Sequence, residues 1–419
     1  MPPALIRRVL LCLLIAAPAV VLRVTGVRLF PVLDLLVFGA SVVAAAFLLA
    51  WAAEAAHKDI SGTLAIALLA VVAVLPEYAV DLYYAYTAGS DPAYTHFAAA
   101  NMTGSNRLLL GFGWPLVVIV AYLVARRKAR GTGRQPHFLQ LPTDSRLDIG
   151  FLAILAVVAF AIPLLGSIPL WLGVGLIVVF GLYLWRASLA HSDEEGEFVG
   201  AAALIAGMPT RARRVTVVAL FVMSAGIILS SAEPFAEALV ASGSALGIDS
   251  YFLVQWLAPL ASEAPEFIIA VMFALRGWGA AAIGTLIASK VNQWSLLVGS
   301  LPVAYWFGGG GVGLPMDGRQ VEEFVLTATQ TLLGVAIIIA LRFHWWSALG
   351  LAVLFAAQFA VTDTTGRYVL SIVQAVVAIG FFFAHRRDII PTLAAPFRRQ
   401  RAAPDETATP DHASQTGRQ

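Results

Sequence analysis

Two glutamates stand where an apolar chain tolerates them least. Val74-Leu75-Pro76-Glu77-Tyr78 and Glu263-Ala264-Pro265-Glu266-Phe267 each set a Pro-Glu-aromatic triplet deep in a hydrophobic stretch. Each is followed, about 20 residues on, by a small polar segment: Asn101-Met102-Thr103-Gly104-Ser105-Asn106 and Thr285-Leu286-Ile287-Ala288-Ser289-Lys290. Proline removes a helical hydrogen bond and frees a carbonyl one turn upstream, near residues 72–73 and 261. A free carbonyl beside a carboxylate is a hard-oxygen pair suited to Na⁺ or Ca²⁺. A carboxylate inside a bilayer is costly and is held there by pairing, protonation or an ion. One Pro-Glu alone reads equally well as a kink with a neutral or salt-bridged acid. Two at matching positions favour a cation site.

The elements that must position them are membrane helices. Of 419 residues, 59% are hydrophobic and 12% charged, about half the ~25% charge of a globular domain. The mean hydropathy is +0.82. Composition therefore excludes nucleic-acid readers and soluble enzymes, and the single cysteine, Cys12, excludes a disulfide or thiolate cluster. The arginine bias, with lysine only at 58, 128 and 290, suggests a GC-rich, bacterial genome. Twelve apolar runs of membrane-spanning length fall at 9–22, 30–53, 61–88, 95–125, 148–165, 168–187, 214–242, 251–275, 279–306, 322–341, 344–361 and 367–384. The first, preceded by Arg7 and Arg8, resembles a signal peptide but lacks a convincing cleavage site and reads as an uncleaved helix. With the N-terminus in the cytoplasm, inner segments take 21 of the 27 Lys and Arg and outer loops 4, leaving Arg107 and Lys290 inside spans. The positive-inside rule then puts both termini in the cytoplasm of a multi-pass plasma-membrane protein.

The offset between the halves is nearly constant: 189 residues separate Glu77 from Glu266, and 184 separate Asn106 from Lys290. Five helices intervene, so the copies cross in opposite directions, and inverted repeats with Pro-broken helices are the architecture of secondary transporters. The expected fold is all-α and polytopic, two inverted five-helix repeats plus one extra helix at each end. The expected divisions are an extra helix in 1–29, a first repeat in 30–188, a cytoplasmic linker in 189–213, a second repeat in 214–362, an extra helix in 363–384 and a disordered cytoplasmic tail in 385–419.

These residues resemble the calcium/cation antiporter superfamily, which includes the sodium/calcium exchangers. Its two inverted repeats each carry a small-Ser-x-Pro-Glu element and a Gly-Asn-x-x-Gly-Ser-Asn element. Pro76-Glu77 and Pro265-Glu266 match the first, Asn101-x-x-Gly104-Ser105-Asn106 matches the second, and the second-half copy is degraded around Ala288-Ser289-Lys290. The resemblance implies Glu77 and Glu266 as the central ion-binding carboxylates for Na⁺ or Ca²⁺. It implies Asn101, Asn106 and Ser289 as neutral oxygens, with Ser105 at the position equivalent to Ser289.

The departures from that pattern carry their own chemistry. Lys290 stands where the family has an oxygen-donating Asn, and an ammonium accepts no bond and ligates no cation. Asp81 shares a helix face with Glu77, and Glu263 precedes Glu266 by three residues, so the site gains two acids and one base. Lys290 reads as a tethered counter-cation pairing with Glu266 or Glu263 and able to exchange protons, or else as a static salt bridge or a snorkelling side chain. Asn292 and Gln293 are positioned to restore lost oxygens. Arg107 reads as structural. Glu233 and Glu237 read either as an outer vestibule or second cation site, or as an exposed helix end. Asp193-Glu194-Glu195-Gly196-Glu197 reads as a solvated acidic turn, and the histidines have no metal spacing.

The leading function is a cation antiporter working by alternating access, with inorganic cations (Na⁺, Ca²⁺ or H⁺) as cargo, no cofactor and the lipid bilayer as partner. No ATP-binding glycine loop occurs, and the oligomeric state cannot be read from the chain. Four acids favour exchange of Na⁺ or H⁺ for Ca²⁺; the fixed charge of Lys290 penalises a divalent ion and tips the balance slightly to monovalent cation/H⁺ exchange, with a sodium/calcium exchanger proper as the alternative within the class. The alternative from another class, a membrane enzyme using the buried acids, lacks His-Glu-x-x-His and Gly-x-Ser-x-Gly.

Overall fold

In lipid a backbone must satisfy its polar groups within each crossing segment, which for chains like this one means helices. The computed structural model describes residues 2–56, 58–59, 75–129, 137–190 and 198–398. The first half runs α1 (Pro3–Thr25), α2 (Pro31–Ala56), α3 (Leu75–Ala88) and α4 (Thr95–Leu108). A π turn at Leu109–Gly113 leads into α5 (Trp114–Ala129), then come β1 (Phe138–Gln140), α6 (Ser145–Val158), α7 (Ala161–Leu165), β2 (Ser167–Pro169) and α8 (Leu170–Ala190). The second half runs α9 (Gly200–Ala206), α10 (Thr210–Leu246), α11 (Ser250–Arg276) and α12 (Gly279–Asn292). A second π turn at Gln293–Leu297 leads into α13 (Val298–Phe307), then β3 (Gly313–Pro315), α14 (Gly318–Ile338), β4 (Arg342–His344), α15 (Trp345–Ala360), α16 (Thr364–Ala384) and α17 (Arg386–Ala394). Among the described residues, nine helical stretches are long and apolar enough to cross a membrane. Each of the twelve runs expected from sequence contains a described helix.

Two short strand pairs fix the relative direction of α6 and α14. β1 pairs antiparallel with β4, and β2 pairs antiparallel with β3. Helix α6 runs from the β1 end to the β2 end, and α14 from the β3 end to the β4 end, so α6 and α14 cross the bundle in opposite senses. The long helices α2 and α10 lie against each other, and at 37 residues α10 is roughly 55 Å long, more than a bilayer's hydrocarbon needs. The two π turns begin 184 residues apart, the same spacing as Asn106 and Lys290.

Two stretches expected between or beyond the spans carry helices. The stretch 189–213 carries α9 and the start of α10, because Ala201, Ala202, Ile205 and Ala206 are apolar enough to pack against α2. The stretch from 385 opens with α17, which docks on α6 through an Arg146–Asp388 ion pair at 2.8 Å. The tail beyond 398, the acidic run 193–197 and the carbonyls near 72–73 lie outside the described residues.

Candidate functional site

The site is assembled from two helix pairs. On α3, Glu77 and Asp81 are one turn apart and both buried; on α4, Asn101 and Ser105 have the same spacing and are equally buried. The pairs face one another. Ser105 Oγ donates to Glu77 Oε1 at 2.6 Å, and the Asn101 amide neighbours the Asp81 carboxyl without a well-formed hydrogen bond on either side among the described residues. In the second half Ser289 Oγ, on α12, donates to Glu266 Oε2, on α11, at 3.1 Å. That pair is half-buried, whereas Glu77 and Ser105 are closed off from solvent.

Gln293 ties the halves together. Its amide donates to Glu77 Oε1 at 3.3 Å and also to Glu263 Oε1. An acid from α3 and an acid from α11 are thus held by one side chain at the entry of the second π turn. A π turn carries one residue more than a regular turn, which re-aims the side chains around it, and such turns recur at functional sites. Around this bridge several buried oxygens have no hydrogen-bond partner among the described residues: both of Asp81, and Asn101 Oδ1, Asn106 Oδ1, Glu263 Oε2 and Gln293 Oε1. Buried acceptors without donors are what a hard cation uses as ligands.

Lys290 does not pair with Glu266 or Glu263. Among the described residues it has no carboxylate within ion-pair distance; its ammonium donates to the backbone carbonyl of Asn106 at 2.5 Å and lies 6.0 Å from the centre of the Trp294 ring. The side chain is fully buried, so it does not snorkel. Asn292 Oδ1 accepts from the Tyr78 hydroxyl at 3.0 Å, which stations it beside Glu77's helix. Asn106 turns its Nδ2 onto its own helix, at Met102 O. Close approach of the helices depends on Gly104, where a Cβ would stand 1.7 Å from the carbonyl oxygen of Gln255. Pro259, four residues after Gln255, takes away that carbonyl's helical partner.

Residue types alone missed a second buried network. Arg107 pairs with Glu323 at 2.5 Å, donates to Gln358 at 3.2 Å and sits 4.9 Å from the Trp256 ring. Arg367 pairs with Glu322 at 3.2 Å and also with Glu323. The sequence signal was available: two adjacent glutamates opening an apolar helix, and an arginine inside a span, need each other. Glu233 and Glu237 are half-buried acids on α10, paired with Arg23 at 2.5 Å and Arg28 at 2.8 Å, and Glu237 also accepts from the Tyr83 hydroxyl.

A family model described as sodium/calcium exchanger protein matches residues 30–189 and 216–384. The chain belongs to the sodium/calcium exchanger protein family. Among solved structures, the chain is 36% identical to an H⁺/Ca²⁺ exchanger, CAX, over 94% of this chain and 98% of that one, with a TM-score of 0.88. The Ca²⁺/H⁺ antiporter YfkE matches at 18% identity over 89% and 99% with a TM-score of 0.58. The sodium-calcium exchanger NCX_Mj matches at 19% over 82% and 100% with a TM-score of 0.50. The last two share the fold. No curated protein matches the sequence. The exchanger family and these neighbours are transporters, not enzymes, and their ligands are the cations they move.

Proposed function

We propose that this exchanger-family chain is a secondary cation antiporter that exchanges H⁺ for Ca²⁺ by alternating access. Glu77, Glu263, Glu266 and Asp81 form its cation site near the bilayer midplane, with neutral oxygens from Asn101, Asn106, Ser105, Ser289 and Asn292. One observation carries the reading: Gln293 holds Glu77 and Glu263, acids from opposite halves, in a single buried place. Carboxylates brought this close repel one another unless a cation or protons neutralise them, so ion and proton compete for the same oxygens. The 36% identity to an H⁺/Ca²⁺ exchanger supports the choice of cargo. The Lys290 ammonium gives its hydrogen bond to the Asn106 carbonyl, so among the described residues it ties up none of the four acids in an ion pair.

The antiparallel courses of α6 and α14, and the matching Ser105–Glu77 and Ser289–Glu266 contacts, support two inverted five-helix repeats within twelve crossings. The half-buried Glu266 beside the closed Glu77 fits a site open toward one membrane face. The bias of basic residues supports both termini on the cytoplasmic side of a plasma membrane. Lys290 acts in this reading as a tethered cation in place of one transported ion. A second reading, monovalent cation/H⁺ exchange, is favoured by the burial of that same charge.

Flux in proteoliposomes separates the two. Under an imposed pH gradient, Ca²⁺ moves in the wild type and not in Glu77→Gln or Glu266→Gln. Proton movement driven by Na⁺ or K⁺ with no Ca²⁺ movement gives the second reading. No flux of any cation under either gradient sinks both.

A further inference from the structure

One end of the bundle carries a cavity of about 400 Å³ lined by Gln140, Arg146, Arg342, His344, His385 and Asp388. It is a product of the fold rather than of a loose surface. The β1–β4 pairing sets Gln140 opposite Arg342. Between α14 and β4 the chain turns through Leu341, a buried leucine held at φ 59, a left-handed conformation that non-glycine residues adopt only where the surroundings enforce it. Helix α17 closes the other wall: Arg146 donates to Asp388 Oδ1 at 2.8 Å and to Thr392 Oγ1 at 2.7 Å.

The charges in this cavity do not balance. Asp388 is taken up by Arg146. Arg342 has no carboxylate partner among the described residues and lies over the Phe138 ring, 5.2 Å from its centre. Two imidazoles complete the wall, His344 between the rings of Phe138 and Trp346, and His385 against Phe381. Next to the basic wall the surface is apolar. Ile390 is 72% exposed and Phe397 77%, with Trp345, Trp346 and Phe383 also uncovered. Aromatic and aliphatic side chains in that position suit the headgroup–acyl boundary of a bilayer.

We propose that this cavity binds a phosphate group, supplied by the headgroup of an anionic phospholipid. Arg342 is its main charge, Gln140 and the two histidines are its further polar contacts, and the exposed side chains of α16 and α17 lie along the acyl chains. A basic pocket between membrane helices is a recurrent form of acidic-lipid site. A free phosphate would use the same donors and would make no use of the apolar flank.

The test uses the full chain purified in a mild detergent. Native mass spectrometry counts lipid retained from equal phosphatidylglycerol and phosphatidylcholine, and thermal stability is followed with and without inorganic phosphate. The variants are Arg342→Gln, His385→Gln and, as a control, Arg127→Gln, an exposed basic residue outside the cavity lining. Phosphatidylglycerol is expected to be retained in preference to phosphatidylcholine, about tenfold less by Arg342→Gln, less by His385→Gln and unchanged in Arg127→Gln. Stabilisation by inorganic phosphate, lost in Arg342→Gln and without preferential lipid retention, would keep the phosphate site and overturn the lipid as its source. Equal retention by all four proteins, or no response to either phosphate source, would overturn the proposal. Monodisperse elution of Arg342→Gln separates loss of binding from loss of fold.

Discussion

Lys290 gives a hydrogen bond to the backbone carbonyl of Asn106, 2.5 Å away and 184 residues earlier. That is the repeat spacing itself, so the base that departs from the second-half motif is held by its own counterpart in the first half. An ammonium so placed puts a fixed positive charge beside the carboxylates without neutralising any of them directly. At an effective dielectric near 20, a unit charge acting on an ion across one or two side chains is worth on the order of 1–2 kcal/mol, roughly a factor of ten in ion affinity. Lys290→Asn is therefore expected to tighten cation binding by about that factor. It should also shift the charge moved per cycle, read as a changed reversal potential in proteoliposomes. An unchanged affinity and reversal potential would show Lys290 to be only a structural pin.

The two serine–glutamate contacts are alike in chemistry and unlike in setting. Ser105 reaches a fully buried Glu77 at 2.6 Å, and Ser289 a half-buried Glu266 at 3.1 Å. Water can replace the second hydroxyl more readily than the first. Ser105→Ala should therefore weaken transport affinity by about ten- to a hundredfold, since a hydrogen bond to a buried charged group is worth about 1.5–3 kcal/mol. Ser289→Ala should cost only a few-fold. Concentration dependence of Ca²⁺ flux measures both, and an inverted order would mean that the second-half carboxylate is the tighter ligand.

What could be read in advance were features repeated in type and spacing: Glu77 with Glu266, Ser105 with Ser289, and the helices that carry them. Polar residues inside apolar runs stand out because lipid excludes them unless they have work to do. The role of Gln293 was less legible. It sits at the start of a π turn, where the 3.6-residue period used to assign faces no longer holds. The expected Lys290–carboxylate pair failed for a related reason. Sequence shows that a buried base needs an acceptor, and a backbone carbonyl serves as well as a carboxylate. The linker helix α9 escaped notice because a buried seven-residue helix has too few turns to display a period.

Arg107 and Glu323 form a buried ion pair between α4 and α14, with both side chains closed to solvent. Removing one partner leaves a charge that neither water nor a neighbour fully compensates, a loss of about 3–5 kcal/mol. Glu323→Gln should thus lower the thermal denaturation temperature markedly. The paired change Arg107→Met with Glu323→Leu, which leaves no orphan at this contact, should cost less than Glu323→Gln alone. Losses in the double change equal to the sum of those in Arg107→Met and Glu323→Leu alone would mean that the pair is not coupled.

Gly104 is a packing requirement of the site. A methyl group there would stand 1.7 Å from the Gln255 carbonyl oxygen, so α4 would have to move off α11 and draw Ser105 away from Glu77. Gly104→Ala is expected to destabilise the chain by about 1–3 kcal/mol or more and to reduce flux. Gly284→Ala, inside α12 with nothing within 4 Å of the added carbon, should instead raise stability by about 0.5–1 kcal/mol, the cost of a glycine in a helix interior.

Asp59 supplies a pH test outside the membrane helices. Its carboxylate accepts from Arg213 at 2.6 and 2.7 Å and from Arg214 at 3.2 Å, tying the turn after α2 to the start of α10. The Arg213 guanidinium lowers its pKa to about 2, against roughly 3.9 for a free aspartate. A carboxylate depressed on folding adds stability that is fully present above its unfolded value and is lost as pH falls toward its folded one. The advantage of wild type over Asp59→Asn should then be constant above about pH 5 and shrink between about pH 4 and pH 2. Thermal denaturation of the two proteins across that range measures it. A gap between wild type and Asp59→Asn that stays constant down to pH 2 would mean that the tether rests on packing rather than on charge.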